Sequence, residues 1–198
     1  MKKDLIAVVG PRGYLDSPEE LGLYEYDGSV DKAKPDLVVF PRTTEEVAEI
    51  VRITREKAPG AIVVVDGAQS APHLPIDVAA LGCDFFAISA HKMLGPTGVG
   101  ALWGRRDLLE AMSPFLSGGS MVGHVTFEST TWAPIPQRFE AGTPPIIETV
   151  GLAAALDYLD ALGRENIFRH DLDLATYAYQ RLSELKGEGF NLGAKAGV

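Results

Sequence analysis

The chain has 198 residues, enough for one domain with a sizeable core and at most a small appendage. Its 46% hydrophobic and 23% charged content reads as a globular protein, and a net charge of −9 argues against nonspecific binding to nucleic acid or to an anionic membrane. The single cysteine, Cys83, excludes an internal disulfide, and the short apolar run after Met1-Lys2-Lys3-Asp4 is too brief for a secretory signal, so the cytoplasm is the expected compartment.

Residues 5–9 are a short strand or the edge of a helix, stopped by Gly10-Pro11. Ser17-Pro18-Glu19-Glu20 reads as a helix start, with Ser17 as N-cap and Pro18 at the first helical position. Residues 24–35 are polar and irregular, with Asp27-Gly28 as a turn signal. Residues 36–40 read as a buried strand, and Thr43-Thr44-Glu45-Glu46 caps a helix to about Lys57 with Val47, Ile50, Val51 and Ile53 or Thr54 facing inward. Pro59-Gly60 ends that helix, and 61–65 is a second buried strand. This order predicts parallel pairing of the two strands, with the helix as their crossover. Further strands are expected at 85–89 and 100–103, and helices at 105–112, 146–162 (apolar) and 165–186 (amphipathic). Residues 113–136 read as a long, loop-rich stretch, and 187–198 as a frayed tail with four glycines.

The residues suited to chemistry lie at strand ends. Lys92 follows the apolar run Phe85-Phe86-Ala87-Ile88 and stands beside Ser89 and His91, ahead of the turn Gly95-Pro96-Thr97-Gly98. Asp66 ends the run Val63-Val64-Val65, and Gln69 lies three residues on. Ligands of parallel sheets bind at the carboxyl ends of the strands, so these groups are expected to converge on one cleft. A lysine for a Schiff base, an acid for a ring nitrogen and polar groups for a phosphate together suggest pyridoxal 5′-phosphate (PLP). Singly, each has a plainer reading: Lys92 as a solvated charge, Asp66 as a turn cap, His91 as a loop residue and Gly95–Gly100 as an ordinary hairpin.

The segments VDGAQSAPHLPIDVAALGCDFFAISAHKMLGPTGVGALWG, TTW, RFEAGTP and GLAAALDYLDALG extend this pattern over about residues 61–185. They resemble the class V branch of fold-type I PLP enzymes, most closely the cysteine desulfurases of iron–sulfur assembly. The resemblance implies an α/β fold, part of a fold-type I large domain, with a mainly parallel sheet and flanking helices. It implies that Lys92 forms the Schiff base, Asp66 pairs with the pyridinium nitrogen, Gln69 bonds the ring oxygen, and Ser89 and His91 bind the phosphate. Gly142 and Thr143 resemble a loop that reaches the phosphate of a neighbouring subunit, which implies a homodimer. His73 and Asp77 also match and are read as structural. Cys83 is not the position of the family's sulfur-accepting cysteine.

The implied reaction converts cysteine to alanine and passes sulfur on as a persulfide. The departures from the pattern bear on it. No phosphate-binding Gly/Thr turn and no ring-stacking histidine precedes Asp66; the first histidine is His73. The cysteine loop and substrate-binding arginine that follow this region in the family are expected to be missing. Cofactor binding with little or no desulfurase activity is therefore expected, and no sulfur-acceptor protein is assigned.

Residues of about 5–53 resemble something else. YEYDGS and KPDLVVFPRTTEEVAEIVRI are similar to the start of FAD-linked oxidases of the glycolate oxidase and D-lactate dehydrogenase type. The glycine-rich loop that follows in those enzymes does not follow here, so FAD binding is not expected. Residues 1–57 are thus expected as a flavin-oxidase-like strand and crossover helix, 58–186 as the PLP-enzyme fragment, and 187–198 as a flexible tail. Two other functions stay open at this point: a non-catalytic α/β scaffold, which would be colourless, and an oxidoreductase of 2-hydroxy acids, which would carry flavin.

Overall fold

The computed structural model describes residues 1–26 and 32–184. The expected Asp27-Gly28 turn and the 187–198 tail lie outside the described residues. The chain divides into two compact units, with the boundary between Ala61 and Ile62.

The first unit starts with helix α1 (Lys2–Val9), so 5–9 is helical. Gly10 stops it at φ 73, a left-handed backbone that glycine takes at little cost. Strand β1 (Tyr14–Leu15) follows, then helix α2 (Pro18–Leu21), where the Ser17 hydroxyl accepts from the Glu20 N–H and Pro18 opens the helix as expected. Strand β2 (Val38–Val39) leads to helix α3 (Thr44–Lys57). Thr43 caps α3 by accepting from the Glu46 N–H at 3.2 Å, and the Glu46 carboxylate accepts from the Arg42 N–H at 2.6 Å. α1 packs on α3, burying Leu5 and Ile53.

The helix across 44–57 forms, but the strand before it is not paired in parallel among the described residues. β2 pairs antiparallel with β1, in register Tyr14 with Val39 and Leu15 with Val38. The short β1–α2–β2 excursion returns the chain beside itself, and β2 meets a local partner before the helix begins.

Lys57 Nζ lies 2.8 Å from the Asp4 carboxylate. That hydrogen bond first, and the terminal ammonium second, hold the Asp4 carboxyl well below the usual carboxylate range. A depressed folded-state pKa gives a contribution that is present above the unfolded value, about 3.9, and is lost as pH falls through the folded one. In a proton-coupled NMR titration, Asp4 should therefore stay ionised through pH 3, and Lys57→Ala should bring its midpoint back up. An ordinary midpoint in the unaltered chain would rule the contact out.

The second unit is built on a three-stranded sheet, β3 (Val64–Asp66), β4 (Phe85–Ser89) and β5 (Gly100–Gly104), with β4 in the middle. β4 runs parallel to β3 and antiparallel to β5. Its apolar sequence fits a central strand, and Phe85 and Phe86 are buried. Phe86 packs in the core with Ala71, Cys83, Met93 and Leu159; Val63, Val65, Ile88 and Ile167 lie around them. Helix α4 (Val78–Leu81) precedes β4, with Asp77 as N-cap: its Oδ1 accepts from the Ala79 and Ala80 N–H groups at 2.9 and 3.1 Å.

Asp84 fixes where the three strands sit. Its side chain is buried; Oδ2 accepts from the Val63 N–H at 2.8 Å and Oδ1 from Arg105 Nη1 at 2.8 Å. The Arg105 N–H also donates to the Asp84 carbonyl at 3.0 Å. The entry to β3, the start of β4 and the exit from β5 thus meet on one residue.

β3 is an edge strand. Val63 O and Gly67 N face β4, so Val64 and Asp66 turn their backbone groups to the other side, where no strand lies among the described residues. Ile62 and Val64 are 53% and 63% exposed.

Helix α5 (Arg106–Ala111) follows β5. The stretch expected as loop contains a hairpin, β6 (Val122–Val125) with β7 (Thr130–Trp132), closed by the Thr126 hydroxyl, which accepts from the Glu128 and Ser129 N–H groups. All seven strand residues are exposed, so no alternation of apolar and polar residues marks them. Helix α6 (Ile146–Leu162) buries Leu152, Ala155 and Leu159; Gly163 at φ 84 separates it from α7 (Arg164–Glu184). No helix among the described residues is long and apolar enough to cross a membrane.

Candidate active site

β3 ends at Asp66, and the chain leaves the sheet through Gly67. The Gly67 N–H donates to the Ala87 carbonyl at 2.9 Å, which presses this residue onto β4. A Cβ here would lie 2.0 Å from Phe86 Cζ, so only glycine fits. The turn is closed by the Ala71 N–H donating to the Gly67 carbonyl at 2.8 Å. Asp66 stands at its start, exposed, with Oδ1 accepting from the Ala68 N–H at 2.9 Å. Gln69 is exposed on the same turn.

β3 and β4 are parallel neighbours with Asp66 opposite Ala87, so Ser89 lies two residues further along β4 at the same end of the sheet. Ser89 Oγ is 3.1 Å from His91 Nδ1. The structure thus brings Asp66, Gln69, Ser89 and His91 to the carboxyl ends of two adjacent parallel strands.

Lys92 follows on a single turn of 3₁₀ helix, Ala90–Met93. Ala90 and Met93 are buried and anchor that turn, and the Gly95 N–H donates to the Ala90 carbonyl at 2.9 Å. Lys92 is half-buried and lines a cavity of about 420 Å³ with Leu94, Leu159, Ile167 and His170. His73 and Asp171 line it too, and His73 Nδ1 lies 2.6 Å from Asp171 Oδ2. His73 therefore ties the 70–74 turn to α7, and Asp77 caps α4.

Gly142 and Thr143 stand apart from this group. They line a cavity of about 720 Å³ with Gly100, Ala101, Pro145 and Ile146. Gly142 has φ 81 and donates its N–H to the Gly119 carbonyl at 2.9 Å.

Sequence reasoning missed His170 and Asp171. They lie near the middle of an amphipathic helix and carry no local signal; only the turn between α6 and α7 brings them to the 70–74 turn. Cys83 is 4% exposed, within the core. Among the described residues, no group of three or more His, Cys, Asp or Glu side chains is placed to hold a metal.

The sequence profile of the family described as Aminotransferase class-V matches residues 43–196. Over 142 residues the chain is 53% identical to a cysteine desulfurase of Haloferax volcanii, covering 72% of this chain and 33% of that protein. The apo structure of a cysteine desulfurase from Thermococcus onnurineus superposes with a TM-score of 0.65 at 39% identity, covering 71% of this chain and 35% of that one. A lysine-to-alanine mutant of C-DES, with glycine covalently linked to its PLP cofactor, superposes with a TM-score of 0.63 at 31% identity, covering 74% and 38%. The chain spans about a third of the length of the curated relatives it matches. The family match takes in residues 43–53, which were expected to belong to a separate N-terminal segment.

Proposed function

The chain belongs to the class-V aminotransferase family, and from that premise we propose that it binds PLP and forms the cofactor-holding part of a cysteine desulfurase. The observation that carries this is the gathering of Asp66, Gln69, Ser89 and His91 at the ends of parallel strands β3 and β4. The donor set fits the cofactor. Asp66 gives one carboxylate oxygen to the Ala68 N–H, and the other is left for a ring nitrogen. The Ser89 hydroxyl and the His91 imidazole suit a phosphate, the Gln69 amide suits the ring oxygen, and the Lys92 amine supplies the covalent link.

When bound, the cofactor supplies an electron sink next to the substrate α-carbon. The chain's own residues do the rest. The free Asp66 oxygen would pair with the ring nitrogen it faces and keep a proton there. With the cofactor bound, the Lys92 amine would take and return the substrate α-proton as general base and acid. Ser89 and His91 are hydrogen-bonded to each other at 3.1 Å, which orients the pair so that the remaining N–H or O–H donor would face the anion. Gly142 and Thr143, which line a separate cavity, serve the phosphate of a second copy in a homodimer. Cysteine is the substrate on this reading, and the cytoplasm the compartment. Cys83 lies in the core, so it is not the thiol that accepts sulfur. Residues of about 5–53 are of flavin-oxidase descent and act as scaffold.

The test is a titration of the purified chain with PLP. An absorbance band near the visible edge should appear and vanish with borohydride, leaving a pyridoxyl mass increment on the Lys92 peptide. Lys92→Ala should show neither, and Asp66→Ala should raise the PLP concentration needed for the band by about tenfold to a hundredfold, since a charge-assisted hydrogen bond contributes about 1.5–3 kcal/mol. A band that survives in Lys92→Ala, or an increment on another lysine, would sink the reading.

A further inference from the structure

One face of the β4–β5 pair lines a different cavity. Strand pairing sets Phe86 opposite Trp103 and Ile88 opposite Ala101. Cross-strand partners project to the same side of a sheet, and so do alternate residues along a strand, so these four side chains stand together. All four line a cavity of about 420 Å³, within the usual range of small-molecule sites. Ala101 contributes only a methyl group to that row, which leaves room beside Ile88. Ile76 and Val78, where the chain enters α4, add further apolar surface. The charged groups of the lining are Asp160, near the end of α6, and Arg164, at the start of α7.

Arg164 is held in place from two sides. Its Nε donates to Asp160 Oδ1 at 3.1 Å, and its Nη1 donates to the Ala71 carbonyl at 3.3 Å. These bonds fix the plane of the guanidinium, and Nη2 has no partner among the described residues. The Arg164 side chain is 28% exposed and that of Asp160 68%, so water screens the carboxylate more than the cation. A planar group with one negative charge and two acceptor oxygens matches the donors that remain. A dianion does not match, because its second charge would lose water against apolar walls with no cation to meet it. Trp103 is exposed and offers a flat aromatic surface in the same cavity.

We propose that this cavity binds a small monocarboxylate with an aromatic body, its carboxylate on Arg164 and its ring against Trp103 and Ile88. None of Asp66, Gln69, Ser89, His91 and Lys92 lines the cavity, so the site stands whether or not the chain binds PLP.

The chain's two tryptophans give the readout, since Trp132 lies on the exposed β6–β7 hairpin. Their indole N–H signals, assigned with Trp132→Phe, are followed by NMR in the nitrogen-15-labelled chain. Phenylacetate should move the Trp103 signal to saturation and leave that of Trp132 in place. Phenylacetamide has the same body without the charge and should need about tenfold more, the difference between a charge-assisted and a neutral hydrogen bond. Dianionic phenyl phosphate should also bind more weakly than phenylacetate. Arg164→Gln should erase the preference for the acid over the amide while both still bind. Ala101→Leu keeps Arg164 but fills the cavity, and should weaken both ligands about tenfold or more. Circular dichroism shows which variants keep the fold. The proposal is overturned if phenylacetate leaves the Trp103 signal unmoved, or if acid and amide bind alike. It is also overturned if folded Arg164→Gln keeps the preference, or folded Ala101→Leu binds as the unaltered chain does. Should Arg164→Gln unfold, the acid–amide comparison and Ala101→Leu still decide.

Discussion

Gly67→Ala is expected to destabilise the second unit by about 3 kcal/mol, the upper end of overpacking costs. The added methyl would lie 2.0 Å from Phe86 Cζ. Phe86 is 4% exposed and packs among Ala71, Cys83, Met93 and Leu159, so the ring has no open side to swing into. Moving the turn instead would stretch the 2.9 Å bond from the Gly67 N–H to the Ala87 carbonyl. Either response displaces Asp66, the residue before. Urea unfolding read by tryptophan fluorescence measures the loss. Phe86→Leu costs stability alone but removes the clashing atoms, so the double variant should be clearly more stable than the sum of the two losses. Strict additivity would show that the ring is not what excludes a side chain.

Asp84→Ala should cost about 2–4 kcal/mol, and Asp107→Ala less than about 0.5 kcal/mol, although both carboxylates bind Arg105. Asp107 does more than Asp84 to hold the Arg105 proton, and Arg105 holds the Asp107 carboxyl below its usual range. Proton affinity and stability diverge here because of burial. The Asp107 side chain is 62% exposed and trades its partner for water at little loss. That of Asp84 is 3% exposed, and removing it strands the Val63 N–H and frees the ends of three strands at once. Arg105 is itself 47% exposed, so water screens its side of the pair and keeps the loss below that of a fully buried one. Asp84→Asn keeps an acceptor and should lose about half as much. Equal losses from Asp84→Ala and Asp107→Ala would refute the argument.

Where the sequence carries a cap or an unbroken apolar run, the element forms where expected, although Val47 and Val51, expected to face inward on α3, are 47% and 39% exposed and Ile53 is the residue α3 buries. Thr43 and Glu46 mark α3, apolar residues run through Ile146–Leu162, and Phe85–Ser89 is apolar enough to be central. Where an element is short, the signal fails. β1 and β2 have two residues each, too few to show alternation, so their pairing was not legible. The β6–β7 hairpin is exposed on both faces and has no hydrophobic pattern to read. The strand-end group was legible because parallel strands place consecutive loops at one end of a sheet. The Lys92 cavity was not, since His73 and Asp171 are 98 residues apart and meet only through packing.

The open side of β3 sets how this protein has to be handled. The run from Ala61 to Val65 that leads into β3 has no charge, no proline and strong β-formers, and β3 leaves the Val64 and Asp66 backbone groups facing outward. Natural sheets blunt such edges with lysine, proline or a bulge; here only Asp66, at the very end, does so. The same five residues that make a good inner strand make an adhesive border, a template on which further strands add at high concentration. Dilute samples and a fusion partner that shields this border are therefore conditions for keeping the chain in solution, independent of how stable its core is.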